Sequence, residues 1–196
     1  MGSHSAGSEA RKLYLRAHQL AKEHRFIQVI EFMGRDAGWI TYLAARGVDE
    51  ASLILLPERP SYFKAVLIKA LNVILEHGYL SVPIAEGYNF KDFEPEHKQQ
   101  EDTLFYNLLE LIPFLKARFH SKGLFDVHGN PKLSGIGEYL SLALRYLPQL
   151  AKYDNDIEAL YLKLKQMYPE YSIFVSRLNE FEGNFHLSSN LRNRLF

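Results

Sequence analysis

Residues 31–40 read Glu31-Phe32-Met33-Gly34-Arg35-Asp36-Ala37-Gly38-Trp39-Ile40, and their surroundings decide the fold class. Just upstream, Phe26-Ile27-Gln28-Val29-Ile30 is apolar and β-branched, which suits a buried strand. Downstream, Ile40, Leu43 and Ala44 fall on one face of a helix. A strand, a glycine turn and a helix in that order open an α/β unit. The first N–H groups of a helix lack intrahelical partners and lie at its positive end, so such a turn is a natural seat for an anion. Arg35 would add a planar fork that holds a phosphate at two points. The same residues also describe a plain strand-to-helix turn with a surface arginine, and on local pattern alone that reading comes first.

The alternation continues outward from this turn. Glu9 to His24 places Leu13, Ala17, Leu20 and Ala21 on one face and predicts an amphipathic helix. Ser52-Leu53-Ile54-Leu55-Leu56, closed by Pro57, predicts a second buried strand. Ser61 is placed to cap a helix in which Phe63, Val66, Leu67, Ala70, Leu71 and Ile74 keep the i, i+3, i+4 rhythm until Gly78 stops it. Tyr79 to Ala85 predicts a third strand, ending at Glu86-Gly87. Strands alternating with helices require crossover connections and hence a parallel sheet. The expected fold is therefore α/β, a three-layer Rossmann-like domain with helices on both faces. In such sheets ligands bind beyond the carboxyl ends of the strands, where Gly34, Arg35 and Glu86 all fall. That coincidence moves the reading toward the anion seat.

Composition sets outer bounds. The chain has 196 residues, 47% of them hydrophobic, enough for one well-buried domain or two small ones. Twenty-three basic residues balance twenty-three acidic ones, which argues against a general affinity for nucleic acid or an anionic membrane surface. Cysteine is absent, so disulfides and thiolate chemistry are excluded and a cytoplasmic setting is expected. No apolar run approaches the roughly 18 residues of a membrane span. Met1 to Ser8 is small and polar and reads as an expression leader, leaving 9–196 as the domain.

Within that domain, 89–132 reads as an inserted loop and helix. It holds a polar run at Glu94–Asp102, a stripe at Leu104, Leu108, Leu111 and Leu115, and turn chemistry at Asp126–Pro131. Gly135-Ile136-Gly137 opens a helix running to about Leu147, and Asp154 is placed to cap another carrying Ile157, Leu160, Tyr161 and Leu164. Tyr171 to Val175 is a candidate last strand.

Four separated segments, in order, resemble the sugar-phosphate-binding half of a phosphofructokinase. Val29 to Trp39 resembles the family's Val-Glu-Val-Met-Gly-Arg signature, and Leu55-Leu56-Pro57-Glu58-Arg59-Pro60 resembles the strand end that follows. Ile84-Ala85-Glu86-Gly87 resembles its Ala-Glu-Gly element, and Lys132 to Leu140 its Leu-Gly-Gly-Ile-Gly segment. The Asp-Ala-Gly-Trp and Leu-Pro-Glu-Arg-Pro variants lean toward short pyrophosphate-using or atypical members. The resemblance implies that Met33, Gly34 and Arg35 contact fructose 6-phosphate, with Arg35 near the phosphoryl group in flight. It implies that Glu86 accepts hydrogen bonds from sugar hydroxyls. Arg25 would match an arginine that reaches across a subunit interface, although it sits one residue further from the turn. A homo-oligomer, Mg2+, and ATP or pyrophosphate as donor are implied in the same way.

The chain departs from the family in two places. Phosphoryl transfer needs a cradle for the donor's phosphates, a metal and a base. In the family these come from an earlier half with a glycine-rich loop and a Thr-Ile-Asp-Asn-Asp motif; here neither a glycine-rich donor loop nor a Walker-type sequence occurs. Tyr153-Asp154-Asn155-Asp156 resembles that motif superficially but follows the sugar-binding segments, and Asp154 suits a helix cap. The family's Gln-Arg pair near the end is also missing: Ile173 to Glu180 offers Arg177 instead, with His186 beyond. His18, His77, His97, His120 and His128 show no metal-ligand spacing. No catalytic residue and no metal ligand is therefore assigned. Two functions are expected. One is a phosphotransferase that phosphorylates fructose 6-phosphate to fructose 1,6-bisphosphate in glycolysis once a donor half, as domain or subunit, is present. The other is a non-catalytic module that kept the fold to sense a sugar phosphate or bind a partner.

Overall fold

The computed structural model of the chain describes residues 3–34, 36–91 and 136–169. Helix α1 (Ser3–His24) leads into strand β1 (Ile27–Phe32), and helix α2 (Trp39–Ala45) follows the glycine turn. Helix α3 (Phe63–His77) precedes strand β2 (Leu80–Ala85). Beyond residue 135 come α4 (Ile136–Arg145), the short α5 (Leu147–Leu150), a 3-10 turn at Ala151–Tyr153 and α6 (Asn155–Met167). The architecture is α/β, as expected.

β1 and β2 pair in parallel, from Ile27 opposite Leu80 to Phe32 opposite Ala85. The segment expected as a strand at Ser52–Leu56 lies along the other edge of β2. It makes two isolated bridges, Ser52 to Ser81 and Leu55 to Ile84, rather than a continuous ladder. Pro83 explains the gap. The N–H of Ser81 reaches Ala51 O at 2.9 Å and that of Ala85 reaches Leu55 O at 3.1 Å. Between them Pro83 has no N–H to give, so one rung is missing. β2 is thus the central strand, and all six of its residues are buried.

The sheet is covered on both sides. On one, Ile27, Val29, Leu80, Val82 and Ile84 pack with α3, α4 and α6 through Leu67, Leu71, Ile74, Leu140, Leu144, Ile157 and Leu164. On the other, Phe32 packs with Ala10 and Tyr14 of α1 and Ala44 and Ala45 of α2. The α3 face is the one expected from periodicity: Phe63, Val66, Leu67, Ala70, Leu71 and Ile74 are all buried. Gly78 ends the helix at φ +74°, where other residues pay a steric penalty.

Two expectations change. The buried stripe of α1 is Ala10, Tyr14, Ala17, His18 and Ala21, so Ala17 and Ala21 lie inside as expected, whereas Leu20 is exposed at 36% and Leu13 is half-buried. Ala10 and Tyr14 of this face pack with Ala44 and Ala45 of α2. The helix begins at Ser3 and so takes in residues 3–8. Gly7 is buried there, and a Cβ on it would lie 2.6 Å from Leu43 Cδ1. Finally, Tyr62 rather than Ser61 stands at the start of α3, and it caps no N–H with its side chain. Ser61 is engaged through its backbone, its N–H to Tyr88 Oη at 3.3 Å and its C=O to the Lys91 N–H at 3.1 Å. The expectations for 92–135 and 170–196, including the Leu104–Leu115 stripe and the strand at Tyr171–Val175, lie outside the described residues.

Candidate functional site

At the carboxyl end of β1 the chain turns through Met33 and Gly34. Gly34 has φ +151°, and a Cβ there would stand 2.6 Å from Ala37 O. No other residue fits that turn without backbone movement. Its carbonyl accepts the N–H of Gly87 at 3.0 Å, while the N–H of Glu86 reaches Phe32 O at 2.9 Å. The turns after β1 and β2 are therefore stitched into a single ledge by two backbone bonds. Met33 is 77% exposed on it, and Glu86 is exposed too. Arg35 lies outside the described residues.

Helix α4 brings a third segment to the ledge. A Cβ on Gly137 would lie 3.4 Å from Val29 Cγ1, 3.6 Å from Ile84 Cγ2 and 3.8 Å from Glu31 Oε2. The first turn of α4 thus rests on the sheet next to the Glu31 carboxyl. Glu31 is exposed to solvent, and partial desolvation, then the charge of Glu86, push its carboxyl up to about 7. Sequence reading did not single out Glu31; its place inside the Met-Gly-Arg segment was the available signal.

The expected anion seat at the start of α2 is already filled. Gly38 N–H donates to Glu58 Oε1 at 2.8 Å, and a Cβ on Gly38 would meet Leu56 Cδ2 at 2.6 Å and Glu58 Oε2 at 3.1 Å. A carboxylate from the Leu-Pro-Glu-Arg-Pro segment stands where a phosphate was expected, and it complements the helix start in the same way. Linear sequence gave no sign of this pairing, which spans 20 residues.

Arg25 is not brought to the ledge. It sits exposed at φ +51°, before β1, while Met33 follows β1. Six extended residues separate the two by about 20 Å. Within one chain Arg25 and Glu86 occupy opposite ends of the sheet.

That amino end holds a polar network drawn from three segments. Tyr14 Oη bonds to Ser52 Oγ, His18 Nδ1 lies 3.0 Å from Ser81 Oγ, and His18 Nε2 stands 3.0 Å from Asp49 Oδ1. Tyr79 Oη donates to Asp49 Oδ2 at 2.7 Å and Lys22 Nζ lies 3.5 Å from the same oxygen. Partial burial opposes the Asp49 charge, but hydrogen bonds from Tyr79, His18 and the Ala51 N–H outweigh it and hold the carboxyl at about 2. Burial pushes Tyr14 up to about 12. Serine, histidine and aspartate stand together here, yet Ser81 is fully buried and cannot meet a substrate. The network fastens α1 to the sheet.

Asp154 and Asp156 have structural partners. Asp154 accepts from the N–H groups of Asp156 and Ile157 at 3.0 and 3.2 Å, capping α6. Lys64 Nζ lies 2.7 Å from Asp154 and 2.9 Å from Asp156. Burial opposes the Asp154 charge, and Lys64 with the capping N–H groups more than offsets it, lowering the carboxyl. The Tyr-Asp-Asn-Asp run is thus a helix cap. Glu50, Glu76 and His77 could bracket a cation, their ligand atoms lying within 4.8 Å of one another. Both glutamates are exposed, and the group sits at the sheet's amino end, away from the ledge.

A Mg2+–phosphate donor does not fit the described residues. Glu58 is bound to Gly38 and Asp154 to its helix and Lys64, and the exposed Glu50 and Glu76 lie at the sheet's amino end, away from the ledge. No described helix is long and apolar enough to cross a membrane.

The family model for phosphofructokinase matches residues 1–123. The chain is 31% identical over 139 residues to the ATP-dependent 6-phosphofructokinase of Spirochaeta thermophila, a match that covers 69% of this chain and 34% of that protein. It therefore spans about a third of the length of that curated relative. A crystal structure of a pyrophosphate-dependent phosphofructokinase from Nitrosospira multiformis is similar at 25% identity. That match covers 44% of this chain and 24% of the other, with a TM-score of 0.41.

Proposed function

Because this chain belongs to the phosphofructokinase family, we propose that its Gly34–Glu86 ledge receives fructose 6-phosphate as the acceptor of a phosphoryl group. The observation that carries this reading is the pair of backbone bonds, Gly87 to Gly34 and Glu86 to Phe32, which unite two family segments at the carboxyl ends of a parallel sheet. That is where α/β folds place ligands. Glu86, exposed on the ledge, accepts hydrogen bonds from sugar hydroxyls, and Met33 offers an apolar surface to the ring. Arg35 pairs with the transferring phosphoryl group. Arg25 acts in a neighbouring subunit's site, which makes the working protein a homo-oligomer.

The donor, ATP or pyrophosphate with Mg2+, is supplied by a separate half, as domain or subunit. With it the product is fructose 1,6-bisphosphate, and the setting is cytoplasmic glycolysis. A second reading, a non-catalytic sugar-phosphate sensor, is favoured by one observation: the carboxylates of Glu58 and Asp154 are tied to structural partners. Calorimetry with millimolar fructose 6-phosphate tests the shared premise. Saturable heat that Glu86→Gln weakens supports it, and folded protein giving no saturable heat overturns it. Coupled assays with ATP and with pyrophosphate separate the two functions; turnover only with an added donor half supports the phosphotransferase.

A further inference from the structure

We propose that Glu58 is a positioning residue for the sugar-phosphate ledge, pinning the far end of the Gly34–Gly38 turn through the Gly38 N–H. This rests on the ledge being the sugar site and deepens that reading by naming what holds it in shape. Glu58 comes from the Leu-Pro-Glu-Arg-Pro segment, which carries none of the sugar contacts. The Arg59 N–H bonds to Leu56 O at 3.0 Å and closes a tight turn around Pro57 and Glu58, with proline where its fixed φ suits such a turn. That turn carries the Glu58 carboxyl to Gly38, whose N–H donates to Oε1 at 2.8 Å. Gly38 has φ −81°, open to any residue, so glycine serves here by its lack of a side chain. A Cβ would lie 2.6 Å from Leu56 Cδ2 and 3.1 Å from Glu58 Oε2.

This contact makes the turn a bridge. β1 and the Ser52–Leu56 segment lie along opposite edges of β2. Gly34 follows β1 and is held by Gly87, whereas Gly38 is held by Glu58, which follows the other segment. Residues 34–38 therefore run from one side of β2 to the other. They pass its end at Ala85, whose Cβ lies 3.9 Å from where a Gly34 side chain would begin, and Glu86 is the next residue. Gly38 O also accepts the Tyr42 N–H at 2.8 Å, so the same residue ties the turn to α2. A turn fixed only at Gly34 would have to be ordered as the sugar binds, and that cost would weaken affinity. With Glu58 in place the order exists beforehand, and the sugar meets a preformed edge. Glu58 acts through the backbone of the turn rather than by touching the sugar.

Substitutions at Glu58 in the full chain test this. Alanine removes the acceptor, and aspartate keeps the charge but withdraws it by one methylene. Glutamine keeps an acceptor oxygen at the same reach without the charge. Amide hydrogen exchange read by NMR should quicken at Gly38 in Glu58→Ala and Glu58→Asp, with the Glu86 N–H still protected by Phe32 O. The calorimetric Kd for fructose 6-phosphate should rise roughly three- to tenfold in both, the range expected when one ordering cost moves from folding into binding. Glu58→Gln should stay within about twofold of wild type, because the hydrogen bond is kept. Asp154→Ala separates a general loss of stability: it lowers the urea midpoint through α6 and should leave Kd unchanged. If Glu58→Ala does not fold, aspartate against glutamine carries the comparison. Wild-type affinity in Glu58→Asp, or an equal loss in Glu58→Gln and Glu58→Asp, overturns the positioning role alone. A loss of affinity without faster exchange at Gly38 does the same. Folded wild type giving no saturable heat overturns the sugar-site reading and this role with it.

Discussion

Replacing Gly34 by alanine should destabilise the chain by about 1–3 kcal/mol, the cost of holding a side chain in a backbone region that is essentially glycine-only. Two terms modify the figure. Alanine stiffens the unfolded chain, which returns about 0.4–1 kcal/mol. Against that, the new Cβ would stand 2.6 Å from Ala37 O, a backbone atom that cannot rotate away. Gly47 supplies a milder comparison: it has φ +69° with nothing within 4 Å of a Cβ, so Gly47→Ala reports the smaller cost of a left-handed backbone without the collision. Urea unfolding of both variants, read by circular dichroism, should give a lower midpoint for Gly34→Ala than for Gly47→Ala. Amide exchange at Gly87 should also accelerate in Gly34→Ala, because the moving turn carries its acceptor. Equal midpoints, with Gly87 still protected, would refute the claim that the ledge depends on this turn.

Other perturbations separate structure from site. Asp49 is held at about 2 when folded, below its unfolded value of about 3.9. Its contribution is therefore present above the unfolded value and is lost as pH falls from about 4 toward 2. Asp49→Asn should flatten the acid limb of a stability–pH curve in that window, and an unchanged limb would count against the network. Glu31 runs the other way. Raised to about 7, it opposes folding increasingly as pH climbs from its unfolded value of about 4.3 to 7, so Glu31→Gln should gain stability relative to wild type at pH 8. Asp154→Ala should cost about 1 kcal/mol through loss of the α6 cap, seen as a lower urea midpoint, while sugar-phosphate affinity stays unchanged. Arg35→Ala should weaken fructose 6-phosphate binding by roughly 10–100-fold through loss of a charge-assisted pair, with thermal stability preserved.

Periodicity was a good guide wherever burial follows from the element itself. The α3 face, the Gly78 stop and the Asp154 cap were legible because each depends on residues within a few turns. On α1, Ala17 and Ala21 were legible, but Tyr14 and His18 take the inner positions that Leu13 and Leu20 were expected to hold, because their polar atoms bond to Ser52 and Ser81 across the sheet. The ledge was half legible. Gly34 and Glu86 could be placed at strand ends from pattern, but the bonds joining their turns needed the parallel register. Glu58 on Gly38 and the His18–Asp49–Ser81 network link residues 20 to 63 positions apart. No local spacing rule reports contacts of that range. The missing rung at Pro83 was visible as a residue, and its consequence became clear only once β2 proved to be central.

The account's central claim is that the carboxyl end of the sheet is the acceptor-sugar site, and amide NMR mapping tests it most directly. Fructose 6-phosphate added to the isotope-labelled chain should shift the signals of Gly34, Glu86, Gly87 and Gly137, in proportion to occupancy. Ser81, Asp49 and Ala51 at the amino end should stay in place. Shifts confined to the amino end, or none at millimolar ligand, would contradict the claim.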